Sequence, residues 1–306
     1  MTAVIEARQL GRWYGQVMGL GELDVSIAPG VTGLVGPNGA GKSTFLKLAV
    51  GELKPSRGDV AVLDERPFAN RRLYARLGFC PQQDALYDHL TGLQHLTLLL
   101  RLSGFPRTEA RQRAVRALER VHLEPAMERR TGGYSKGMRQ RVKLAQAIAH
   151  GPEFVIADEP LAGLDPVARA QTTALFRELA SQGTSLLVSS HVLHEVEGLT
   201  DSIVLLHRGR LLAQGSVPAI RRLLSRHPRK VDLVARDVRR LAGLLVELDD
   251  VRSIQIDSDE QLAVETADLD AFLAGLTRIA AVERAGLRSV ESRDASLEAV
   301  FDYLVG

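Results

Sequence analysis

A layered α/β fold with a largely parallel sheet, followed by a small α+β unit, is predicted by three observations. Residues 1 to about 215 alternate short apolar runs with helical patterns, the order that builds a parallel sheet flanked by helices. Two of those runs, Phe154-Val155-Ile156-Ala157 and Ser185-Leu186-Leu187-Val188, are nearly continuous, as strands buried on both faces must be. Composition then shifts over Ser216 to Lys230, where Pro218, His227 and Pro228 stand among basic residues, and a new pattern starts beyond.

In chain order, the segment through Leu23-Asp24-Val25-Ser26-Ile27 alternates apolar and polar residues and reads as antiparallel strands. Val31-Thr32-Gly33-Leu34-Val35 is a short buried strand, and Phe45-Leu46-Lys47-Leu48-Ala49-Val50 lies in a helix. Arg107 to Leu123 repeats Arg, Ala and Leu at helical spacing. Ile203 to Leu206, Arg208-Gly209 and Arg210 to Ala213 read as a hairpin with a glycine turn. After a linker at 216–230 come a strand at Val231–Ala235 and a helix at Val238–Leu248. A hairpin follows at Ile254–Ile256 and Leu262–Val264, then a helix at Leu269–Ile279, a strand at Leu287–Val290 and a helix at Ser296–Leu304. The order β-α-β-β-α-β over 231–306 is that of a ferredoxin-like unit.

Composition narrows the class. The 306 residues are 45% hydrophobic and 25% charged, ordinary for a soluble globular chain. A net charge of +2 is too small to argue for nucleic acid as a partner. Cys80 is the only cysteine, which excludes an internal disulfide framework and suits a reducing compartment. The first eight residues lack the basic region and apolar core of a signal peptide. Apolar runs such as Leu96 to Leu100 fall far short of a membrane span, so any membrane role is expected to come through a partner.

The chemistry is concentrated in Gly36-Pro37-Asn38-Gly39-Ala40-Gly41-Lys42-Ser43-Thr44, which fits G-x-x-x-x-G-K-[ST] between a strand and a helix. Glycines let successive N–H groups point inward at phosphate oxygens, and a helix opening near Lys42 adds its N-terminal dipole. Lys42 is the residue to reach the β/γ-phosphates, and Ser43 the hydroxyl to ligate Mg²⁺. Downstream, the apolar strand at 154–157 ends in Asp158-Glu159. Beside a phosphate loop, Asp158 suits the Mg²⁺ shell and Glu159 suits a general base for water. Acids that merely cap a turn would look the same.

Tyr134-Ser135-Lys136-Gly137-Met138-Arg139-Gln140 precedes a helix just upstream of that acidic strand. With Gln82, Asp165 and His191, these segments resemble the nucleotide-binding subunits of ABC transporters over residues 4 to about 215. The resemblance implies a P-loop NTPase of ABC type: a mostly parallel core, antiparallel N-terminal strands and a helical subdomain at about 83–150. It also implies ATP and Mg²⁺ as cofactors. On it, Ser135 and Gly137 grip the γ-phosphate of an ATP held by an opposing subunit, and Asp165 lies in the loop crossing that interface. Gln82 touches Mg²⁺ and water, His191 contacts the γ-phosphate, and Tyr14 stacks on adenine, with Trp13 as its rival. Taken singly, Ser135 also reads as an N-cap, and either ring as core.

Two positions depart from the commonest pattern, Lys136 where many members have Gly and Met138 where they have Gln. Ser-Lys-Gly-Met resembles the variant of bacterial exporters of drugs, lipids and polysaccharides, as does Leu297-Glu298-Ala299-Val300-Phe301. The resemblance therefore implies a peripheral subunit at the cytoplasmic face of the membrane. Its partners are a second copy or a related ATPase subunit, paired head to tail, and an integral membrane permease. Ala85-Leu86-Tyr87-Asp88-His89-Leu90-Thr91 resembles the groove wall that receives the permease, although plain helix packing reads equally well. The eight basic residues of Arg221 to Arg240 read as a solvated linker and helix face, with anionic lipid as the other reading. Two rival functions are a soluble ABC-type ATPase acting on ribosomes or DNA and a regulatory module that binds ATP without hydrolysing it. About fifty residues between Gln82 and Tyr134, and one ATPase unit, speak against the first; Glu159 and His191 speak against the second.

Overall fold

A computed structural model describes residues 3–83, 86–200, 202–216, 219, 229–283 and 286–292. The chain forms two compact units, Met1–Ser216 and Val217–Gly306. Most of the 216–230 linker, the helix expected at Ser296–Leu304, Leu297–Phe301 and Ala85 lie outside the described residues.

In the first unit, β1 (Ile5–Tyr14) pairs antiparallel with β2 (Val17–Ile27) on one side and β4 (Arg57–Val62) on the other. The central sheet contains β3 (Val31–Val35), β5 (Leu77–Cys80), β6 (Phe154–Ala157), β7 (Ser185–Ser190), β8 (Ser202–His207) and β9 (Arg210–Ser216). Its order is β5-β6-β7-β3-β8-β9, parallel from β5 through β8 with β9 antiparallel at the edge. Every residue of β6 and β7 is buried, which explains the apolar runs Phe154–Ala157 and Leu186–Val188 within them. α1 (Lys42–Ala49) packs Phe45, Leu46 and Leu48 between the two sheets, with Phe45 wholly buried. After the short α2 (Arg71–Tyr74), three helices form a second core: α3 (Gly92–Leu102), α4 (Arg107–Arg120) and α5 (Lys136–Ile148).

Each of these helices shows why it forms. α3 is opened by a capping box in which Thr91 and Gln94 satisfy each other's backbone N–H groups. α4 buries Ala110, Ala114, Ala117 and Leu118 on one stripe and turns its arginines outward. It stops at Arg120, short of the Leu123 read from its periodicity, because His122 adopts a left-handed conformation with φ 55°. α6 (Pro166–Ser181) is capped by Asp165 and has proline at its first position. α7 (Leu193–Glu197) follows β7.

The second unit runs β10 (Arg229–Ala235), α8 (Val238–Leu245), β11 (Val251–Ile256), β12 (Gln261–Thr266), α9 (Leu269–Glu283) and β13 (Leu287–Ser292). Its sheet order, β11-β12-β10-β13, is antiparallel throughout, the ferredoxin-like arrangement. Val231, Leu233, Leu262 and Val264 face Leu241, Leu245, Phe272 and Leu276 in its core. β10 begins at Arg229, so the last two residues of the expected linker are strand. No described helix is long and apolar enough to cross a membrane.

Two histidines make the first unit sensitive to acid. Burial lowers the pKa of His95 and of His150, whose Nε2 donates to the Leu77 carbonyl at 3.2 Å. A base with a depressed folded pKa stays neutral while the unfolded chain takes up its proton near pH 6.5, so stability is lost as pH falls through that value. The urea midpoint of the full chain is expected to drop between about pH 7.5 and about pH 5.5, above the carboxylate range. His150→Gln should flatten that slope; an unchanged slope would show that His150 titrates alike in both states.

Candidate nucleotide site

The glycine-rich loop leaves β3 in very tight surroundings. At Gly36 a Cβ would lie 2.4 Å from the Leu206 carbonyl oxygen, so only bare backbone fits. Gly41 has φ 99°, and a Cβ there would lie 2.9 Å from the Gly19 carbonyl oxygen. Gly209, in the turn between β8 and β9, donates its N–H to the Ala40 carbonyl at 2.9 Å. Its own carbonyl accepts from Gly21 N–H at 2.8 Å. The loop is thus wedged between β2 and a hairpin turn. α1 opens directly behind Gly41 without a side-chain cap, the arrangement that leaves first-turn N–H groups to an anion.

Lys42 is buried beneath this loop. Its Nζ donates to the carbonyls of Gly36 at 2.5 Å and Pro37 at 3.3 Å, and lies 3.4 Å from Glu159 Oε1. The other Glu159 oxygen accepts from His191 Nδ1 at 2.9 Å. A carboxylate only accepts, so Nδ1 is the donor in this bond. Glu159 has φ 50°, a strained backbone for a residue with a side chain, of the kind that clusters at functional sites at a cost of about 1–3 kcal/mol.

Ser189, at the end of β7, binds both acids together. Its hydroxyl donates to Asp158 Oδ1 at 2.6 Å and accepts the Glu159 N–H at 2.9 Å. Asp158 N–H in turn donates to the Cys80 carbonyl at 2.8 Å. Burial pushes the Cys80 thiol up to about 12, so it stays protonated and chemically inert. Ser189 belongs to none of the motifs read from the sequence. The available signal was two serines, Ser189 and Ser190, following the apolar run Leu186–Val188 of a buried strand.

The remaining candidates gather in a second group. Ser135 caps α5, its Oγ accepting from Met138 N–H at 3.3 Å. A Cβ on Gly137 would lie 3.6 Å from Leu164, and one on Gly163 would lie 2.7 Å from Lys136 Cε. The Ser135–Gly137 turn therefore packs on the loop ending at Asp165, whose Oδ1 accepts from Ala168 N–H at 2.9 Å. Gln82 is exposed, and its carbonyl accepts from the buried Lys143. Tyr14 and Trp13 lie on opposite faces of β1. A Cβ on Gly19 would lie 2.6 Å from the Tyr14 ring and 3.2 Å from the Thr44 hydroxyl, while Trp13 lies over Gly11. Tyr14, 45% exposed, is thus the ring beside the phosphate loop. Asn38, Gly39, Ala40, Ser43 and Thr44 complete the loop and the first turn of α1. Ser43 and Asp158 offer hard oxygen donors, suited to Mg²⁺ rather than to a soft ion. Among the described residues, no cluster of three or more His, Cys, Asp or Glu side chains could hold a metal ion unaided.

Phosphate oxygens are the ligand that a lysine, a bare helix N-terminus and a curled glycine backbone converge on, and the fold is that of the P-loop nucleoside triphosphatases. Comparison with known proteins narrows this class. Residues 20–162 match the family described as "ABC transporter". The chain is 35% identical over 271 residues to the uncharacterized ABC transporter ATP-binding protein YxlF of Bacillus subtilis (strain 168), covering 88% of each. It is 34% identical over 300 residues to the daunorubicin resistance ATP-binding protein DrrA3 of Streptomyces coeruleorubidus, covering 96% of this chain and 93% of that one. A solved ATP-binding subunit of an ABC transporter superposes with a TM-score of 0.65 at 32% identity, over 72% of this chain and 92% of that one. The dimeric structure of the bacterial cassette MJ0796 shares the fold, with a TM-score of 0.65 at 24% identity over 70% and 98% of the two chains. The chain belongs to the ABC transporter family, as one of its ATP-binding and ATP-hydrolysing subunits.

Ser189→Ala would leave the buried Glu159 N–H without its acceptor and Asp158 without its donor. Such a loss costs about 1–3 kcal/mol, so turnover is expected to fall about tenfold or more in steady-state ATPase assays. Wild-type turnover in the variant would show that Ser189 merely fills space.

Proposed function

We propose that this subunit powers export through a separate membrane permease, working as a head-to-tail pair with a second copy or a related subunit. The observation that carries the catalytic part is the buried pair of Lys42 and Glu159 beneath the phosphate loop, with the half-exposed His191 bonded to the carboxylate. Lys42 is within reach of the loop interior, where γ-phosphate oxygens would compete with the Gly36 and Pro37 carbonyls for its protons. Glu159 accepts the proton of the attacking water, and His191 holds that carboxylate and turns its ring toward the γ-phosphate. Mg²⁺, when bound, neutralises charge on the β- and γ-oxygens; Ser43, Asp158 and Gln82 are the residues to hold it. Tyr14 stacks on adenine.

One phosphate loop and one Ser135–Gly137 turn per chain make a complete site only when the turn acts on the partner's nucleotide. Support for such a pair comes from the related cassette solved as a dimer. Asp165 then lies in the loop that crosses the interface. ATP between the two surfaces favours the closed pair, and loss of the γ-phosphate removes a contact from both sides. Export is supported by the similarity to the Nod factor export ATP-binding protein I of Rhizobium sp. (strain N33), which is 33% identical and extends over 96% of this chain, so that it reaches into the second unit. The permease would meet the segment around the half-exposed Tyr87, at the cytoplasmic face of the membrane.

Two experiments test the reading. Glu159→Gln is expected to lower ATP turnover at least about a hundredfold, the contribution of a general base, and an unchanged rate would remove Glu159 from that role. Copurification of the tagged chain from detergent-solubilised host membranes should recover a multi-span protein that stimulates hydrolysis. A fully active pair with no membrane protein attached would count against export.

A further inference from the structure

α5 carries two polar side chains into the floor of the site. Lys143, eight residues after Ser135, is 3% exposed, and its Nζ donates to the Gln82 carbonyl at 2.8 Å. Gln140, one turn earlier, donates through Nε2 to the Pro160 carbonyl at 3.2 Å, directly after Glu159. An ammonium is tolerated inside a protein only where its hydrogen bonds are made, so Lys143 holds firmly what it binds. α5 is therefore pinned both to the Gln82 segment after β5 and to the acidic turn after β6.

We propose that Lys143 is a positioning residue that makes α5 and the Gln82 segment move as one piece. It thereby connects two different ATP sites. This rests on the reading above, in which Ser135 meets the partner's nucleotide and Gln82 meets the Mg²⁺ of its own. Eight helical residues span about 12 Å, so a displacement at the Ser135 turn reaches Gln82 through a rigid rod rather than a flexible loop. A buried lysine that served only to pack the helical core would affect stability and leave the metal response and site coupling untouched.

The test uses the full chain carrying Lys143→Met. Three quantities are read: the Mg²⁺ concentration for half-maximal ATPase activity, the Hill coefficient for ATP, and the thermal midpoint. The Mg²⁺ requirement is expected to rise about tenfold, the scale seen when a partner behind a metal ligand is lost. The Hill coefficient should fall toward one, and Lys143→Arg, which keeps a charged donor, should restore both. An unchanged Mg²⁺ requirement and Hill coefficient in a folded Lys143→Met protein would overturn the proposal. If Lys143→Met does not fold, Lys143→Ala, which likewise removes the donor, is read the same way. Gln82→Ala separates the two levels. No Mg²⁺ response there removes Gln82 from the metal site and the proposal with it. A response there without one at Lys143 overturns the proposal alone.

Discussion

Lys42 and Glu159 face each other at 3.4 Å with side chains only 7% and 5% exposed. Opposite charges taken out of water tolerate each other only if their remaining hydrogen-bonding capacity is met. Here it is met on every side. Two loop carbonyls take protons from Lys42, and His191 donates to the second oxygen of Glu159. Glu159 also gives its backbone N–H to Ser189, whose hydroxyl proton goes on to Asp158. The groups of the proposed catalytic cluster are thus oriented by one another.

That cluster exists because of strand order. The phosphate loop follows β3, Asp158 and Glu159 follow β6, and Ser189 and His191 lie at the end of β7 or just beyond. These strands are far apart in the chain, yet β6, β7 and β3 are neighbours and run parallel, so their carboxyl ends open on one crevice. The apolar filling of β6 and β7 holds this alignment, since both strands are buried along their whole length. The antiparallel strands contribute differently: β2 and the β8–β9 turn press on the outside of the loop and fix its curl through Gly21 and Gly209.

Much of this was legible in the sequence because it depends on local pattern. The glycines of the loop, the unbroken apolar run before Asp158 and the alternation of the N-terminal strands each dictate a short-range geometry. The β-α-β-β-α-β order of the second unit was equally readable, since each element carries its own period. What could not be read were contacts between residues distant in sequence whose types are unremarkable. Lys143 is a polar position on a helix of mixed character, and only the packing of α5 under β5 brings its ammonium to the Gln82 carbonyl. Likewise the choice between Trp13 and Tyr14 depends on which face of β1 lies over Gly19, a matter of pairing with β2 across a strand interrupted by register shifts.

Ser135 shows why a bland reading and a functional one can coexist at one atom. A serine hydroxyl has one proton to give and two lone pairs to receive. Capping α5 occupies one lone pair with the Met138 N–H, over a long 3.3 Å contact. The proton is left out of that bond, and a proton is what a phosphate oxygen requires. Asp165 caps α6 in the same manner, but an ionised carboxylate has no proton and cannot serve an anion in this way. The two caps are therefore chemically unequal. The turn that begins with Ser135 can close on a partner's phosphate without uncapping its helix, whereas the Asp165 loop can contribute to such an interface only through acceptors or backbone.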